Sequence, residues 1–440
     1  MEKDEGDAAA RPPRLSVAVV LAASAAVTAV AAAAAAAAGT GAAGWTGANA
    51  ARTSSTTTTS TELQPTHRLY PGNAPPLGSS PLARSPEHVR FTLHPNGDGA
   101  SAGLVVSTAD LASVDDVIAT HCCTLNGRAA EPHLCAPRSG ARLITDAGLR
   151  VMSLADVDRD QRVYCVLQGL HFVWPRTRLG DTFYPKNVVA PIPGKPIAMR
   201  QVGDLPRVFT VSNFATAEEV AELVASSARL LAKREGVIPD HQMTTTSTSL
   251  DLSNPAVAAL VNRTFQIINV DVTPGLAHPI ETIRSTVLGY GDGQWHHPHL
   301  DWFDPAKNVV LEPKVNNGTN RFATIVVYLT TISDGTGHTV FPLSTTHEGY
   351  DGRRIVREGT LERPGFIEME DASAACNASA TKALRVQAVA GNAVLFYSQE
   401  PDGSLDPWSL HGGCPPSAGV VRWSGNIWVW NRPIPRRRSG

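Results

Sequence analysis

A histidine and an aspartate stand two residues apart at His299-Leu300-Asp301. Side chains at positions i and i+2 of a β-strand point to the same face, so one short strand can present an imidazole nitrogen and a carboxylate oxygen to one ion. A second histidine from a distant strand, for which His411 is the candidate, would complete a 2-His-1-carboxylate facial triad. Such a triad leaves positions open on Fe(II) for a chelating co-substrate and for O2. The pattern predicts an iron site that activates oxygen.

The triplet by itself is a weak signal, because His-x-Asp occurs by chance about once in a chain of this size. A surface histidine beside a turn aspartate is the alternative interpretation. Composition narrows the class of protein: the 440 residues are 42% hydrophobic and 18% charged, with a net charge of -2, which is typical of globular proteins. A charge so close to zero gives no electrostatic case for nucleic acid as a partner.

The N-terminal segment 15–38 carries no charge and is long enough to span a bilayer. Because Arg11 and Arg14 precede it closely, the segment predicts a cytoplasmic tail over residues 1–14 and a catalytic part on the other side of the membrane. We therefore expect a single-pass type II protein of the endoplasmic reticulum or Golgi membrane, anchored by residues 15–38. A cleaved signal peptide is the alternative, since the segment ends in small residues.

Cysteine usage favours an oxidising compartment, because the six cysteines form an even set in a chain that is expected to be lumenal. Disulfides are the favoured interpretation. A zinc site built from the His-Cys-Cys and His-Leu-Cys runs is the alternative, although their spacing matches none of the usual zinc motifs. Three glycosylation sequons, usable only in a secretory lumen, point the same way. The cysteines are Cys122, Cys123, Cys135, Cys165, Cys376 and Cys414, and the sequons begin at Asn262, Asn317 and Asn377.

The chain divides by composition into a Ser/Thr/Pro-rich stalk (39–88), a cysteine-containing region of unknown function (89–203), a main domain (204–432) and a basic tail (433–440). In the main domain, a capping box at Thr216 to Glu219 and a proline at 255 each begin a helix whose apolar residues recur on one face. Six short strands follow. Two helices followed by many strands predict an α+β fold with a jelly-roll core. The expected strands are 283–290, 322–329, 338–341, 384–389, 393–397 and 421–430.

Four motifs, in the same order, closely resemble those of the prolyl 4-hydroxylases of plants and algae, a branch of the 2-oxoglutarate- and Fe(II)-dependent dioxygenases. The resemblance covers about Leu205 to Arg432. Its motifs are Tyr290-x-x-Gly293-Gln294-x-x-x-Pro298-His299-x-Asp301-x-Phe303, Arg321-Phe322-Ala323-Thr324, Gly337-His338-Thr339-Val340-Phe341-Pro342, and Gly391-Asn392-Ala393-Val394-Leu395-Phe396 with Leu405-Asp406-Pro407-Trp408-Ser409-Leu410-His411-Gly412-Gly413-Cys414-Pro415.

The resemblance implies a double-stranded β-helix (jelly-roll) core buttressed by the two helices. It also implies that His299, Asp301 and His411 are the iron ligands, and that hydroxyls of Tyr290 and Thr324 contact the co-substrate 2-oxoglutarate. His296 and His297 have no counterpart as ligands in the family and are expected to line the entrance. The loop from Trp302 to Asn320 resembles the segment that closes over the peptide, and Cys376 and Cys414 resemble a pair that is disulfide-bonded in plant and algal members.

At one position the chain departs from the family. The lysine that the family places before a tryptophan is here Arg422, one residue later than usual, while Trp428 keeps its spacing beyond this basic residue. A buried co-substrate carboxylate needs a cation to offset its desolvation, and arginine can provide one through two parallel hydrogen bonds. We therefore expect Arg422 to hold the distal carboxylate of 2-oxoglutarate and Trp428 to line its site. The alternative is a charge at the rim of the site.

By the same resemblance, the expected activity is 4-hydroxylation of peptidyl proline with O2 and 2-oxoglutarate, which releases succinate and CO2. The implied cofactors are Fe(II), 2-oxoglutarate and L-ascorbate, and the implied partner is an extended proline-rich peptide, whose preset polyproline II shape costs little entropy to bind. Two alternatives remain open: a 2-oxoglutarate oxygenase acting on another side chain or a small molecule, and an inactive membrane-tethered binding module.

Overall fold

A computed structural model describes residues 88–136, 138–232, 246–250, 252–270, 285–290, 296–305, 318–344, 376 and 383–432. The expected cytoplasmic tail, the anchor segment, nearly all of the stalk and the basic tail lie outside these residues. Within them, no helix combines the length and the apolar character that a membrane crossing requires.

The cysteine-containing region begins with a small sheet of β1 (Arg90–Pro95), β2 (Leu104–Ser107), β3 (Arg142–Thr145) and β4 (Arg162–Val166), in the order β2-β1-β4-β3. Short helical turns between β2 and β3 carry cysteines that form the disulfides Cys122–Cys165 and Cys123–Cys135. The expected disulfides are confirmed, and the zinc interpretation is wrong because these sulfurs are bonded to each other. The two bridges join the turns to β4 and to each other around a buried apolar core.

The rest of the chain builds two larger sheets and two long helices, α1 (Ala217–Ala232) and α2 (Pro255–Ile268). The larger sheet has the order β5-β6-β7-β14-β11-β16-β9-β8, and the smaller one β10-β15-β12-β13. The expected α+β class is confirmed. The strands are β5 (Thr182–Phe183), β6 (Ala198–Gly203), β7 (Val208–Ser212), β8 (Thr246–Leu250), β9 (Ser285–Tyr290), β10 (His296–His299), β11 (Arg321–Tyr328), β12 (Thr339–Phe341), β13 (Leu384–Val386), β14 (Ala393–Tyr397), β15 (His411–Gly413) and β16 (Arg422–Trp430).

Both long helices begin where the sequence predicts. Thr216 and Glu219 form the capping box, in which each backbone N–H donates to the other side chain over 2.8 and 3.1 Å. Asn254 caps α2, with Pro255 at its first position. The two helices are joined by the ion pair between Arg263 and Glu219, 2.9 Å long and largely buried. Their apolar faces pack in one core with β11 and β14, so they stiffen the larger sheet from outside.

The cysteine-containing region is bonded to the larger sheet through buried polar groups. The Asn96 amide donates to the carbonyls of His171 and Pro401 over 2.8 and 3.1 Å. Arg207, 4% exposed, donates to the carbonyls of Gly97 and Trp174 over 3.0 and 2.6 Å. Because a buried donor left without an acceptor is costly, these bonds hold the region in one place against the sheet.

Candidate metal centre

The structure brings together the three residues that the sequence analysis predicts as ligands. His299 on β10 lies opposite His411 on β15, and Asp301 follows two residues after His299. The Asp301 Oδ1 and Oδ2 atoms lie 3.7 Å from His299 Nε2 and 3.6 Å from His411 Nε2. One ligand atom from each residue falls within 4.8 Å of the others, and this is the one such cluster among the residues that the structure describes. The spacing fits a single ion held by two imidazoles and one carboxylate.

The charge state of Asp301 suits a cation ligand. Burial alone raises the pKa of this carboxyl group, which is 2% exposed. His411, Arg321 and His299, together with a hydrogen bond from Thr324, outweigh burial and lower the pKa to about 2. The Thr324 hydroxyl, which the sequence analysis expects to contact 2-oxoglutarate, donates here to Oδ2 over 2.6 Å, and its contact with 2-oxoglutarate stays a prediction. Asp301 is therefore a carboxylate at any physiological pH, and its neighbours fix its orientation before a metal binds.

The orientation of His411 follows from the turn that precedes it. Its Nδ1–H donates to the Ser409 carbonyl over 2.9 Å, which leaves the lone pair of Nε2 directed at the metal position. The Ser409 hydroxyl in turn donates to the Asp406 carbonyl over 2.7 Å. Trp302, adjacent to Asp301, donates its indole N–H to the same carbonyl over 2.9 Å. The two segments that carry the ligands thus share one acceptor.

The Asp406 side chain in this turn predicts a pH dependence of stability. Burial, and then the charge of Glu400, raise its pKa to about 7. The folded protein therefore binds one more proton than the unfolded chain between about pH 4 and pH 7, and this contribution to stability is lost as the pH rises through that window. In the variant Asp406→Asn the side chain cannot ionise, but its amide oxygen can still accept the hydrogen bond from the Trp408 N–H.

In thermal melts, the Tm of Asp406→Asn minus that of the wild type should grow by at least about 3 °C between about pH 4 and pH 8. Asp402→Asn, on the same loop but largely exposed, is the control and should show no such growth. A Tm difference independent of pH would contradict the raised pKa.

Arg422 occupies the first position of β16, opposite Tyr290 of β9 in register. It is 1% exposed, so it is not a charge at the rim. One of its amino groups donates to the Thr339 hydroxyl over 2.9 Å, and that hydroxyl also accepts the Tyr328 O–H over 2.9 Å. The side chain is therefore held inside the space between the two sheets. A buried guanidinium in a fixed orientation suits a carboxylate ligand.

The strand that begins with Arg422 presents further polar groups to the same space. Ser424, Asn426 and Trp428 follow at alternate positions of β16, and Trp428 lies opposite Thr324 in register. The Ser424 hydroxyl, the Asn426 carbonyl oxygen and the Trp428 indole nitrogen are buried and have no hydrogen-bond partner among the described residues. Because buried polar atoms are normally satisfied, this row of atoms fits a small polar ligand such as 2-oxoglutarate, with waters.

The sequence analysis missed Arg321, although the residue lies beside the metal position. Its Nη1 is 3.3 Å from Asp301 Oδ1, and its guanidinium lies 4.2 Å from the Trp428 ring and 4.9 Å from the Phe303 ring. Phe303 also stacks on Trp430 at 5.7 Å. Phe303, Trp428 and Trp430 form an aromatic wall around Arg321. The sequence signal that could have predicted this wall is the pair of tryptophans at alternate positions of β16. Tyr328, four residues after Thr324 on β11 and therefore on its face, was the available signal for the Arg422 contacts.

Other expectations are met to different degrees. The Cys376–Cys414 disulfide is formed, three residues beyond His411. His296 stacks on His299 with ring centroids 4.0 Å apart, so it adjoins the ligand cluster without joining it. The side chains of Tyr290 and His297 lie outside what the structure describes, as do residues 306–317 of the loop expected to close over the peptide.

Comparison with known proteins agrees with this geometry. The family model of the 2OG-Fe(II) oxygenase superfamily matches residues 285–430, which contain all three candidate ligands and Arg422. Probable prolyl 4-hydroxylase 3 of Arabidopsis thaliana is 30% identical over 234 residues, 51% of this chain and 69% of that protein. Prolyl 4-hydroxylase 5 of the same plant is 30% identical over 233 residues, 51% and 68% of the two chains.

Among solved structures, a viral collagen prolyl hydroxylase from Paramecium Bursaria Chlorella virus-1, in complex with 2OG, aligns with 51% of this chain and 95% of its own. The identity is 17% and the TM-score 0.33, so the assignment rests on the sequence relatives. These relatives match over more than two thirds of their own length. The chain belongs to the prolyl 4-hydroxylase family of the 2OG-Fe(II) oxygenases.

Proposed function

We propose that the protein hydroxylates peptidyl proline at carbon 4, using O2 and 2-oxoglutarate and releasing succinate and CO2. The observation that carries this proposal is the convergence of His299, Asp301 and His411 within 4.8 Å, in a chain of the prolyl 4-hydroxylase family. Bound Fe(II) and 2-oxoglutarate supply the oxidising chemistry. The protein supplies the open metal positions, the orientation of both substrates and a site shielded from water.

Each site residue has a distinct task in this proposal. His299, Asp301 and His411 hold the iron, while Thr324 keeps the Asp301 carboxylate turned toward it. Arg422 neutralises the distal carboxylate of 2-oxoglutarate, which could not otherwise be buried between the sheets at an acceptable cost. The roles of Tyr290 and Trp428 as co-substrate contacts come from the family resemblance. Tyr290 lies opposite Arg422 in register, whereas Trp428 lies six residues further along β16, opposite Thr324.

A proline-rich peptide suits the wall beside the metal. Phe303, Trp428 and Trp430 place aromatic rings next to Arg321, which itself contacts the Asp301 ligand. Aromatic-lined grooves bind extended proline-rich segments because the apolar pyrrolidine ring packs on them and the polyproline II shape is preset. L-ascorbate would keep the iron reduced, as the family resemblance implies.

The cellular setting is part of the same proposal. All six cysteines form disulfides, and the sequon residue Asn262 is exposed on α2. Both features suit a secretory lumen. With the uncharged segment 15–38 as a signal anchor, we propose a type II protein of the endoplasmic reticulum or Golgi membrane whose catalytic part is lumenal.

The test is to incubate the purified full-length protein with Fe(II), 2-oxoglutarate, ascorbate and a proline-rich peptide. The expected product is a peptide heavier by about 16 Da, the mass of one oxygen atom, with one succinate formed per oxygen added. Fragmentation should place the oxygen on proline. Succinate formation without peptide oxidation would point to a different substrate, and no succinate at all would point to an inactive binding module.

A further inference from the structure

Two cavities lie on either side of the loop Glu400–Ser404, where the cysteine-containing region meets the larger sheet. Their volumes are about 380 and 200 Å³. They share four lining residues, Leu170, Glu400, Pro401 and Asp402, and the two adjoining cavities together are called the groove. The first cavity continues along Leu125, Leu167 and Arg128 of the cysteine-containing region.

The second cavity begins next to the aromatic wall of the metal centre. Its lining includes Asn431 and Arg432, which directly follow Trp430, and Gly318, whose carbonyl accepts the Asn431 amide over 3.0 Å. An extended chain that passes Trp430 can therefore turn over the end of β16 and enter the groove. The groove therefore starts at the end of β16 that carries Trp430, and residues of the cysteine-containing region complete its lining.

Of the two carboxylates that line the groove, Glu400 and Asp402, only one has no hydrogen bond in the described part of the chain. Arg128 is held by Glu131 through two hydrogen bonds, one of them 2.7 Å long. The Asp402 carboxylate accepts from the Ser404 N–H and hydroxyl over 2.9 and 2.7 Å. Glu400 lines both cavities, and its carboxylate has no hydrogen bond to any residue in the described part of the chain. Arg207 acts electrostatically on Glu400, and Arg128 acts on Asp402, so Glu400 differs from Asp402 in lacking a hydrogen bond and not in lacking a nearby cation.

We propose that this groove is an accessory subsite for the substrate, which binds the part of a proline-rich peptide beyond the reactive proline and takes a lysine or arginine side chain at Glu400. The inference rests on the proposed function. Leu125, Leu167, Leu170 and Pro401 give an apolar surface for the peptide and for the methylene stem of the basic residue, while Glu400 binds its charged end. The cysteine-containing region thereby acquires a role in choosing substrates.

The test is a charge exchange between enzyme and peptide, using the full-length protein. Three peptides share one proline-rich reactive segment: a short one, one extended by residues that include lysines, and one in which those lysines are glutamates. The wild type should hydroxylate the lysine peptide with a kcat/KM on the order of tenfold higher than the glutamate peptide. Glu400→Lys should reverse this preference, read as the ratio of kcat/KM for the lysine peptide to that for the glutamate peptide, because the ratio cancels any effect that the charge of Glu400 has on Asp406 and the ligand segments.

Two further variants make the result decisive. Asp110→Lys makes the same change of charge on an exposed loop of the cysteine-containing region and should keep the wild-type preference. Ser404→Trp obstructs the first cavity from an exposed position without changing the charge, and should remove most of the advantage of the lysine peptide. Binding of the fluorescently labelled lysine peptide to each variant, followed by anisotropy, should show the same order.

The inference is overturned if the wild type uses the lysine and glutamate peptides equally, or if Glu400→Lys lowers kcat/KM for all three peptides by one factor. In both cases peptide hydroxylation itself still occurs, and the proposed function stands. If no peptide gains oxygen and none binds, the proposed function fails and this inference falls with it.

Discussion

Asp301→Ala should lower the hydroxylation rate by at least about 1000-fold and the affinity for Fe(II) in parallel. Changes to residues that only orient a ligand cost about 10- to 100-fold, so the loss of a charged ligand should cost more. Asp301 is the single carboxylate in the cluster and holds its negative charge at any physiological pH, because its pKa is about 2. Without it, two neutral imidazoles face a divalent cation beside the positive charge of Arg321.

Metal affinity should be measured by anaerobic titration calorimetry with Fe(II), so that the result does not depend on turnover. Thr324→Val provides a graded comparison, because it removes only the 2.6 Å hydrogen bond to the carboxylate and should cost about 10- to 100-fold. Asp110→Ala is the matched control, because it removes an exposed aspartate that is distant from Asp301 in the sequence. This variant should bind Fe(II) with the wild-type affinity. An Asp301→Ala protein that kept wild-type affinity for Fe(II) would remove the metal centre from the proposal.

Arg422→Met should raise the KM for 2-oxoglutarate by about 100-fold, because truncating one partner of a buried charge pair costs about 2–5 kcal/mol. Arg422→Lys should cost less, about tenfold, since lysine keeps the charge but not the two parallel donors. The affinity for Fe(II) should stay close to the wild-type value in both variants, because the guanidinium is not among the ligand atoms.

Initial rates of succinate formation at varied 2-oxoglutarate, together with titration of 2-oxoglutarate into the Mn(II)-loaded protein, would measure this effect. Arg200→Met removes an exposed arginine of β6 and serves as the control. If Arg422→Met left the KM for 2-oxoglutarate unchanged, a different cation would have to hold the distal carboxylate. The hydrogen bonds of Arg422 and Tyr328 to Thr339 would then be purely structural.

Local patterns were sufficient for most of the elements. The capping box at Thr216 and the proline at 255 predicted where both helices begin, because caps are satisfied by neighbours in sequence. Strand β14 has the predicted bounds, and β11 and β16 each differ from them by one residue. The expected strand 338–341 begins instead at Thr339, where pairing with Val386 and Gly413 starts.

By itself, the sequence determined the chemistry of this protein: two histidines and an aspartate in a known order of motifs, a basic residue in place of the family's lysine, and an even set of cysteines. Only the tertiary structure placed Arg321 against Asp301, made Asp406 a shared support for both ligand segments, and opened a groove beside Glu400. The reason is physical. Residue types and short spacings are local properties, whereas burial, pKa and cavities depend on which distant segments pack together.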